Sequence, residues 1–337
     1  MVLKNRAIRK FYEEPAMEKT RKWRYGVNRW FVLLFIVLAV VAANIFPPVR
    51  PPIMVPAEPL SDKPLFTLPV IGDFYLTNTI TTLILVNVIV ILLAWGVRRS
   101  LREDDLVPHG ISGALEMLVE MIYNMSETTA GRWTKTIFPW FASLVVVVLI
   151  SNWIGLIPGM EAVGLLEQAE GGGHAAIMAG PLGLMTADPG PYKVVAFFRS
   201  VSTDLNFTAA LALISVVATQ IVGVQAQGWR YIFRFFNVTT LFSRPGLGVM
   251  DLVVSLLELI SEFSKILSFA FRLFGNMFAG MVLLFLISAM IPVFAPSVVM
   301  LFEFFIGAIQ AFVFGMLTLV FMTQATQGHD SGEQQPE

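Results

Sequence analysis

Ionisable side chains interrupt a stretch of chain that is otherwise apolar enough to lie in a membrane. In the run Leu247–Val293, acids and bases stand among leucine, phenylalanine, isoleucine and methionine. An ionisable group at mid-bilayer costs about 3 kcal/mol or more, so such groups usually face a bundle interior or a water-filled cavity. The chemistry that these residue types offer there is ion or proton transfer.

The polar residues of this run share one face of a helix. At about 100° per residue, a stripe about 120° wide holds Glu258, Glu262, Lys265, Ser268, Arg272 and Asn276. Glu262 and Lys265 are spaced for a local ion pair, which is one interpretation of part of the stripe. Arg272 has no acid within one turn and stays charged. Its counter-charge must therefore come from another helix or another subunit.

A second polar pair stands in the run Pro296–Met322. Glu303 and Gln310 are seven residues apart, so they project within about 20° of one another on an apolar helix. Two simpler interpretations are open: Gln310 as a hydrogen-bonding contact between helices, and Glu303 as an interfacial carboxylate.

Composition excludes several classes of protein. Only 14% of the 337 residues are charged and 56% are hydrophobic, whereas a soluble domain has about 25% charged residues. A soluble enzyme and a disordered chain are thereby excluded, and a net charge of -1 gives no basic field for nucleic acid. With no cysteine and three widely spaced histidines, we expect no metal site and no cofactor.

The apolar runs predict an all-α polytopic membrane protein with about six transmembrane helices. The predicted spans are Trp30–Phe46, Thr79–Val97, Ile137–Ile157, Leu205–Gln225, Leu247–Val293 and Pro296–Met322. The last two helices are expected to be long and tilted, although a break of the fifth run near Gly275 is the alternative. Seventeen Lys and Arg residues flank one side of these spans and four the other. This asymmetry predicts that both termini are cytoplasmic.

The remaining segments complete the predicted organisation. Ile111–Trp133 has the pattern of an amphipathic helix in the membrane interface, and the loop after Pro158, rich in glycine and proline, is expected to be irregular. The predicted divisions are a basic N-terminal segment (1–29), an extra N-terminal anchor (30–47), an outer loop (48–78), a membrane domain (79–326) and a disordered tail (327–337). A cleaved signal peptide is the alternative for the anchor, but its polar lead of 29 residues is long for one.

The string around the arginine resembles a known signature. Phe271–Gly280 reads FRLFGNMFAG, Asn152–Pro158 reads NWIGLIP, Thr203–Asn206 reads TDLN, and Glu303 precedes Gln310 with AFVF after it. These strings resemble subunit a of the F-type ATP synthases, the membrane stator of a rotary motor. The similarity covers roughly residues 108–326, and the arginine string carries most of its weight.

The resemblance implies a non-catalytic, proton-translocating subunit. Its two long tilted helices would wrap a ring of c subunits, and Arg272 would face the ring between two offset half-channels. Subunit b of the peripheral stalk and the lipid bilayer would be its other partners. The implied location is a bacterial-type plasma membrane, with H⁺ as the expected ion and Na⁺ as the alternative.

The resemblance also distributes the other polar residues. It places Glu303 and Gln310 in the outer half-channel, with Asn276 beside the arginine and the supporting residues Asn152, Asp204 and Asn206. The inner half-channel would hold Glu258, Ser268 and Glu262. At Met281 the family usually carries a second ionisable residue, so the outer path here would rest on Glu303, water, and Asp204 or Glu161.

Two other classes of function are weighed against this interpretation. A stand-alone channel or secondary transporter would also explain intramembrane charges. An integral-membrane enzyme is disfavoured because the sequence has no Ser/His/Asp set, two-histidine metal motif or phosphate-binding glycine loop.

Overall fold

The computed structural model of the chain describes residues 25–45, 57–61, 63–69, 72–100, 111–169, 173–179, 182–229, 231, 245–291 and 294–327. The helices in these ranges are α1 (Tyr25–Ile45), α2 (Asn78–Ser100), α3 (Ile111–Ala130), α4 (Thr134–Ile154), α5 (Leu205–Gln227), α6 (Pro245–Met290) and α7 (Ala295–Thr326). The strands are β1 (Phe66–Leu68), β2 (Gly72–Phe74), β3 (Gly164–Gln168), β4 (His174–Ala179), β5 (Leu182–Pro189) and β6 (Tyr192–Ala196). Short 3₁₀ turns lie at Gly131–Trp133, Met160–Ala162 and Val201–Thr203.

The prediction of an all-α polytopic membrane protein is confirmed. Within the described ranges, five helical stretches are long and apolar enough to cross a membrane: Asn78–Gly96, Gly113–Ile154, Leu205–Gln227, Leu252–Met290 and Ala295–Thr326. The chain divides into two units, Met1–Pro47 and Pro48–Glu337. The first contains α1, whose apolar part Arg29–Val41 is shorter than a full span, so a count of six spans stays a prediction. Most of the predicted basic segment and nearly all of the predicted tail fall outside the described residues.

The apolar stretch Gly113–Ile154 consists of two packed helices, α3 and α4. Gly131 adopts φ +52° between α3 and α4, a left-handed conformation that glycine tolerates best. The rings of Tyr123 on α3 and Phe138 on α4 meet edge to face at 5.2 Å. The chain therefore folds back at the turn, and the interfacial position of α3 stays a prediction.

Helix α6 runs unbroken through Gly275 for 46 residues. At 1.5 Å per residue it is about 69 Å long, more than twice the thickness of a hydrocarbon layer. The break near Gly275 is therefore excluded, whereas the strong tilt that a helix of this length would need to remain in the bilayer stays a prediction.

A mixed aromatic and aliphatic core joins α4, α5, α6 and α7. Its buried members include Leu144, Val148, Leu211, Ala212, Phe269, Leu273, Met277, Ala311 and Phe314. The rings of Phe269 and Phe314 lie 5.2 Å apart, and Gly315 lets α7 approach Phe141 and Val145 of α4 without a side chain between them. Close van der Waals packing of this kind stabilises helix association inside a bilayer, where the hydrophobic effect does not drive helices together.

The expectation of an irregular loop after Pro158 is wrong. The four strands that follow Val163 form an antiparallel sheet in the order β3-β6-β4-β5, with Gly164 opposite Ala196 at its base. Glycine and proline residues separate these short runs in the sequence, and runs as brief as these cannot be distinguished from loops by periodicity. We refer to the end of the bundle that carries this sheet as the sheet end.

Candidate functional site

Arg272 is a half-buried side chain on α6. Its Nη2 donates to Ser268 Oγ at 3.0 Å, one turn earlier on the same helix. No ion pair reaches this guanidinium from any residue that the structure describes. Its positive charge is therefore uncompensated within the described chain, as the sequence indicated.

One turn further along α6, Asn276 connects this helix to α7. Its Nδ2 donates to Gln310 Oε1 at 2.6 Å. Gln310 is buried, and its own Nε2 has no acceptor among the described residues. Arg272 and Asn276 thus lie one turn apart on α6, and guanidinium and amide N–H groups are donors that a carboxylate can accept.

Glu303 lies on α7 two turns before Gln310 and is only 3% exposed. Both of its carboxyl oxygens pack against Gly280 of α6, in space that a Cβ at that position would need. No hydrogen bond or ion pair reaches this carboxyl group from any residue that the structure describes. Met281, which follows Gly280, is half-buried and contributes no titratable group.

Asp204 and Asn206 lie where α5 begins, at the sheet end. Asp204 Oδ1 accepts the backbone N–H of Asn206 at 2.9 Å, which makes Asp204 the N-cap of α5. Its Oδ2 accepts Thr79 Oγ1 of α2 at 2.9 Å, so both oxygens are engaged. The side chain of Asn206 is exposed.

Asn152 joins three elements near the same end. Its Nδ2 donates to the carbonyl oxygen of Gly307 on α7 at 2.9 Å. Its Oδ1 accepts Ser202 Oγ at 2.6 Å. Asn152 is fully buried, so these bonds fix α4 against α7 and against the turn before α5.

Toward the opposite end of α6, Glu262 is neutralised locally. Lys265 Nζ lies 2.6 Å from its Oε1, and Gln220 Nε2 of α5 donates to its Oε2 at 2.9 Å. The lysine ammonium also lies 4.7 Å from the ring centre of Phe321 on α7. The predicted Glu262–Lys265 ion pair is confirmed, and Glu258 is half-buried one turn earlier.

Some residues of these clusters escaped the sequence analysis. Gln220 is a polar residue in an apolar helix, which is a signal for a buried contact, but nothing in the sequence identifies Glu262 as its partner. Ser202 and Gly280 carry no periodic signal, because their importance comes from contacts made by distant segments. Within the described ranges, no group of three or more His, Asp or Glu side chains is placed to hold a metal ion.

Comparison with known proteins gives a consistent result. The family model for the ATP synthase A chain matches residues 79–323. A relative named ATP synthase subunit a from Geobacter sulfurreducens is 31% identical over 216 residues, 64% of this chain and 74% of the relative. Proteins of the same name from Moorella thermoacetica and Mycobacterium tuberculosis are each 28% identical, over 72% and 74% of this chain and 88% and 87% of their own lengths.

Proposed function

The chain belongs to the ATP synthase A chain family, and on that premise we propose that it is the proton-translocating stator subunit of a rotary ATP synthase. The resemblance inferred from the Arg272 string is confirmed at the level of the family. In this proposal the ATP chemistry takes place on other subunits. This chain supplies the ion path and has no active site of its own.

The observation that carries the proposal is the uncompensated charge of Arg272. Arginine keeps its proton even when it is desolvated, and a cation within about 4–6 Å lowers the pKa of a carboxyl group. A carboxyl group that the c-ring brings to Arg272 would therefore release its proton. The same fixed charge opposes a proton that would pass directly from one half-channel to the other.

The polar clusters divide into two candidate paths on either side of Arg272. The outer path is assigned to Asn276, Glu303 and Gln310, with Asn152, Asp204 and Asn206 as polar residues that support it. The inner path is assigned to Glu258, Glu262 and Ser268. Support for two separate paths comes from position: Asn152 and Asp204 lie toward the sheet end, whereas Glu258 precedes Arg272 by 14 residues, about 21 Å along α6.

The proposed setting follows from the family and from the charge distribution. The partners are a c-ring, the b subunits of the peripheral stalk and the lipid bilayer, and the location is a bacterial plasma membrane. The excess of Lys and Arg on one side of the spans supports cytoplasmic termini and an outward sheet end. Residues 79–326 form the working membrane domain, and residues 30–47 are an added anchor.

The test uses the complete ATP synthase in inverted membrane vesicles. Arg272→Ala is expected to lower ATP-driven proton pumping at least about 100-fold, by analogy with the loss of one electrostatic contact in an enzyme. ATP hydrolysis by the detached soluble part should be unchanged. The matched control is Arg132→Ala, because Arg132 is exposed on the turn before α4 and lies 5.8 Å from the ring of Trp133.

Two results would contradict the proposal. One is full pumping by the Arg272→Ala complex. The other is ion conduction or exchange by the chain reconstituted alone, which a stator subunit cannot perform without the ring and which a stand-alone channel or transporter would.

A further inference from the structure

The family usually has an ionisable residue at the position of Met281, so the proposed outer path of this chain lacks one titratable group. The structure distinguishes the two acids that could replace it, Asp204 and Glu161. Both oxygens of Asp204 are engaged, one in the cap of α5 and one with Thr79. Glu161 lies outside the spans, on the turn Met160–Ala162, and accepts the backbone N–H of Ser200 near the guanidinium of Arg199. Asp204 is therefore a structural anchor, whereas Glu161 has a carboxyl group suited to exchanging a proton.

The electrostatic setting of Glu161 favours exchange. Burial raises its pKa above the ordinary value, while Arg199 and the Ser200 N–H act in the opposite direction without cancelling the rise. A raised pKa keeps the carboxyl protonated closer to neutral pH, and the nearby cation stabilises the carboxylate after the proton leaves. Among the charged side chains of the strands, Lys193 of β6 and Glu167 of β3 pair at 3.0 Å, and Asp188 of β5 is exposed.

A buried polar segment, residues 199–204, connects Glu161 to the helices. The backbone N–H of Arg199 donates to Thr82 Oγ1 of α2 at 3.0 Å, and Arg199 itself is 8% exposed. Ser200 rests on Gly155, where an added Cβ would lie 2.6 Å from Ser200 Cβ. The buried hydroxyl of Ser200 has no hydrogen-bond partner among the described residues.

Further polar contacts lie between Gly155 and Glu303. Asn152 lies one turn before Gly155 on α4, about 4.5 Å along the helix axis, and it holds both Ser202 and the Gly307 carbonyl oxygen. Glu303 lies one turn before Gly307 on α7, about 6 Å along that axis. Ser151, next to Asn152, has a second buried hydroxyl without a partner in the described chain, and water commonly satisfies such groups.

We propose that Glu161, assisted by Arg199, is the proton-exchanging acid at the mouth of the outer path, and that protons pass between it and Glu303 along Ser200, Ser202 and intervening water. The inference rests on the proposed function. In the inward direction, the carboxyl O–H of Glu161 gives its proton to an adjacent water or hydroxyl, and the carboxylate stays beside Arg199. A proton from the outer solution then restores the acid, so each cycle moves one proton and changes no other bond.

The test measures ATP synthesis by the complete complex in proteoliposomes, driven by an imposed proton gradient, as a function of pH on the side of the sheet end. Glu161→Gln keeps an acceptor for the Ser200 N–H and removes the titratable proton. Glu161→Asp restores a carboxyl group that is one methylene shorter. The matched control is Glu167→Gln, a change of the same kind in a more exposed acid on β3.

Glu161→Gln is expected to lower the synthesis rate about tenfold, less than a full loss of general acid catalysis because water can bypass one group. The pH dependence of the remaining rate should lose the contribution of Glu161. Glu161→Asp should recover most of the rate, and Glu167→Gln should match the wild type.

The inference is overturned if Glu161→Gln synthesises ATP at the wild-type rate with the wild-type pH profile. It is also overturned if Glu161→Asp is as slow as Glu161→Gln, because shape and not titration would then matter. Arg272→Ala, measured in parallel, separates the two hypotheses. Activity in that variant contradicts the proposed function, whereas an inactive Arg272→Ala beside a normal Glu161→Gln contradicts only the role of Glu161.

Discussion

The carboxyl group of Glu303 lies against Gly280, in the space that a side chain at Gly280 would occupy. The contact joins α6 to α7 within three turns of Arg272. Because Gly280 has no side chain, the backbone of α6 itself forms one wall around the buried acid. The position of this carboxyl group therefore depends on the absence of a single methyl group.

Gly280→Ala should disturb this arrangement directly. The new methyl group overlaps both carboxyl oxygens, so either Glu303 adopts another rotamer or the two helices separate, at a cost of about 1–3 kcal/mol. We expect a several-fold loss of ATP-driven pumping in vesicles. Glu303→Asp in the same chain should recover part of it, because the shorter side chain frees space.

The control for that substitution is Gly96→Ala on α2, where an added Cβ meets nothing within 4 Å. It should pump normally, and its helix should gain up to about 1 kcal/mol from the better helix propensity of alanine. Normal pumping by Gly280→Ala would show that Glu303 does not need its present position.

The hydrogen bond between Asn276 and Gln310 predicts strong coupling between these two positions. Asn276→Leu leaves the buried amide of Gln310 without its donor, and Gln310→Leu leaves Asn276 without its acceptor. The double variant removes both groups, so we expect it to lose about 1 kcal/mol less than the sum of the single variants. Thermal unfolding of the purified complex measures this coupling, and strictly additive losses would argue against the bond.

The ion pair between Glu262 and Lys265 predicts a structural effect. Lys265→Met leaves a half-buried carboxylate with Gln220 as its partner in the described chain, and should destabilise the subunit by about 1–2 kcal/mol. Adding Glu262→Gln should restore most of the loss, because the unpaired charge is then gone. The midpoint temperature at which the subunit leaves the purified complex reports both effects.

A matched ion pair on the sheet provides the comparison. Lys193→Met breaks the contact with Glu167, whose side chain is 48% exposed. We expect this change to destabilise the subunit by less than about 0.5 kcal/mol. Equal losses for both lysine variants would mean that the position of Lys265 among the helices has no special importance.

The dual bonding of Asp204 predicts different outcomes for two substitutions. Asp204→Ala removes the cap of α5 and leaves the buried Thr79 hydroxyl without its acceptor, for a loss of about 1–3 kcal/mol. Asp204→Asn can keep the cap and can still bond to Thr79, so stability and ATP-driven pumping should both be nearly normal. Defective pumping by a stable Asp204→Asn complex would instead assign Asp204 to proton transfer.

The helical part of the fold was predictable because the signal was strong. Long apolar runs fix the spans, and the common face of Glu262, Lys265 and Arg272 follows from helical geometry alone. The absence of an acid near Arg272 in sequence remained true in space, since no described acid pairs with it. The local Glu262–Lys265 pair was likewise visible as an i, i+3 spacing.

The contacts between distant segments were not predictable in this way. Asn152 meets Ser202 and Gly307 across separations of 50 and 155 residues, and no local pattern encodes such pairs. The sheet was missed because its strands have only five to eight residues, between glycine and proline positions that also occur in irregular loops. Gly280 was missed because a required absence of atoms leaves no mark in a helical pattern.

The backbone N–H of Phe197 donates to the carbonyl oxygen of Val163 at 3.0 Å, directly below the first pair of the sheet. Backbone hydrogen bonding therefore joins the two ends of the sheet at its base. These paired ends lie close in sequence to Glu161 and Arg199, so the pairing at the base holds the two flanking segments together. We therefore expect that the sheet can be shortened, or can accept a grafted peptide, with little effect on how the membrane helices pack.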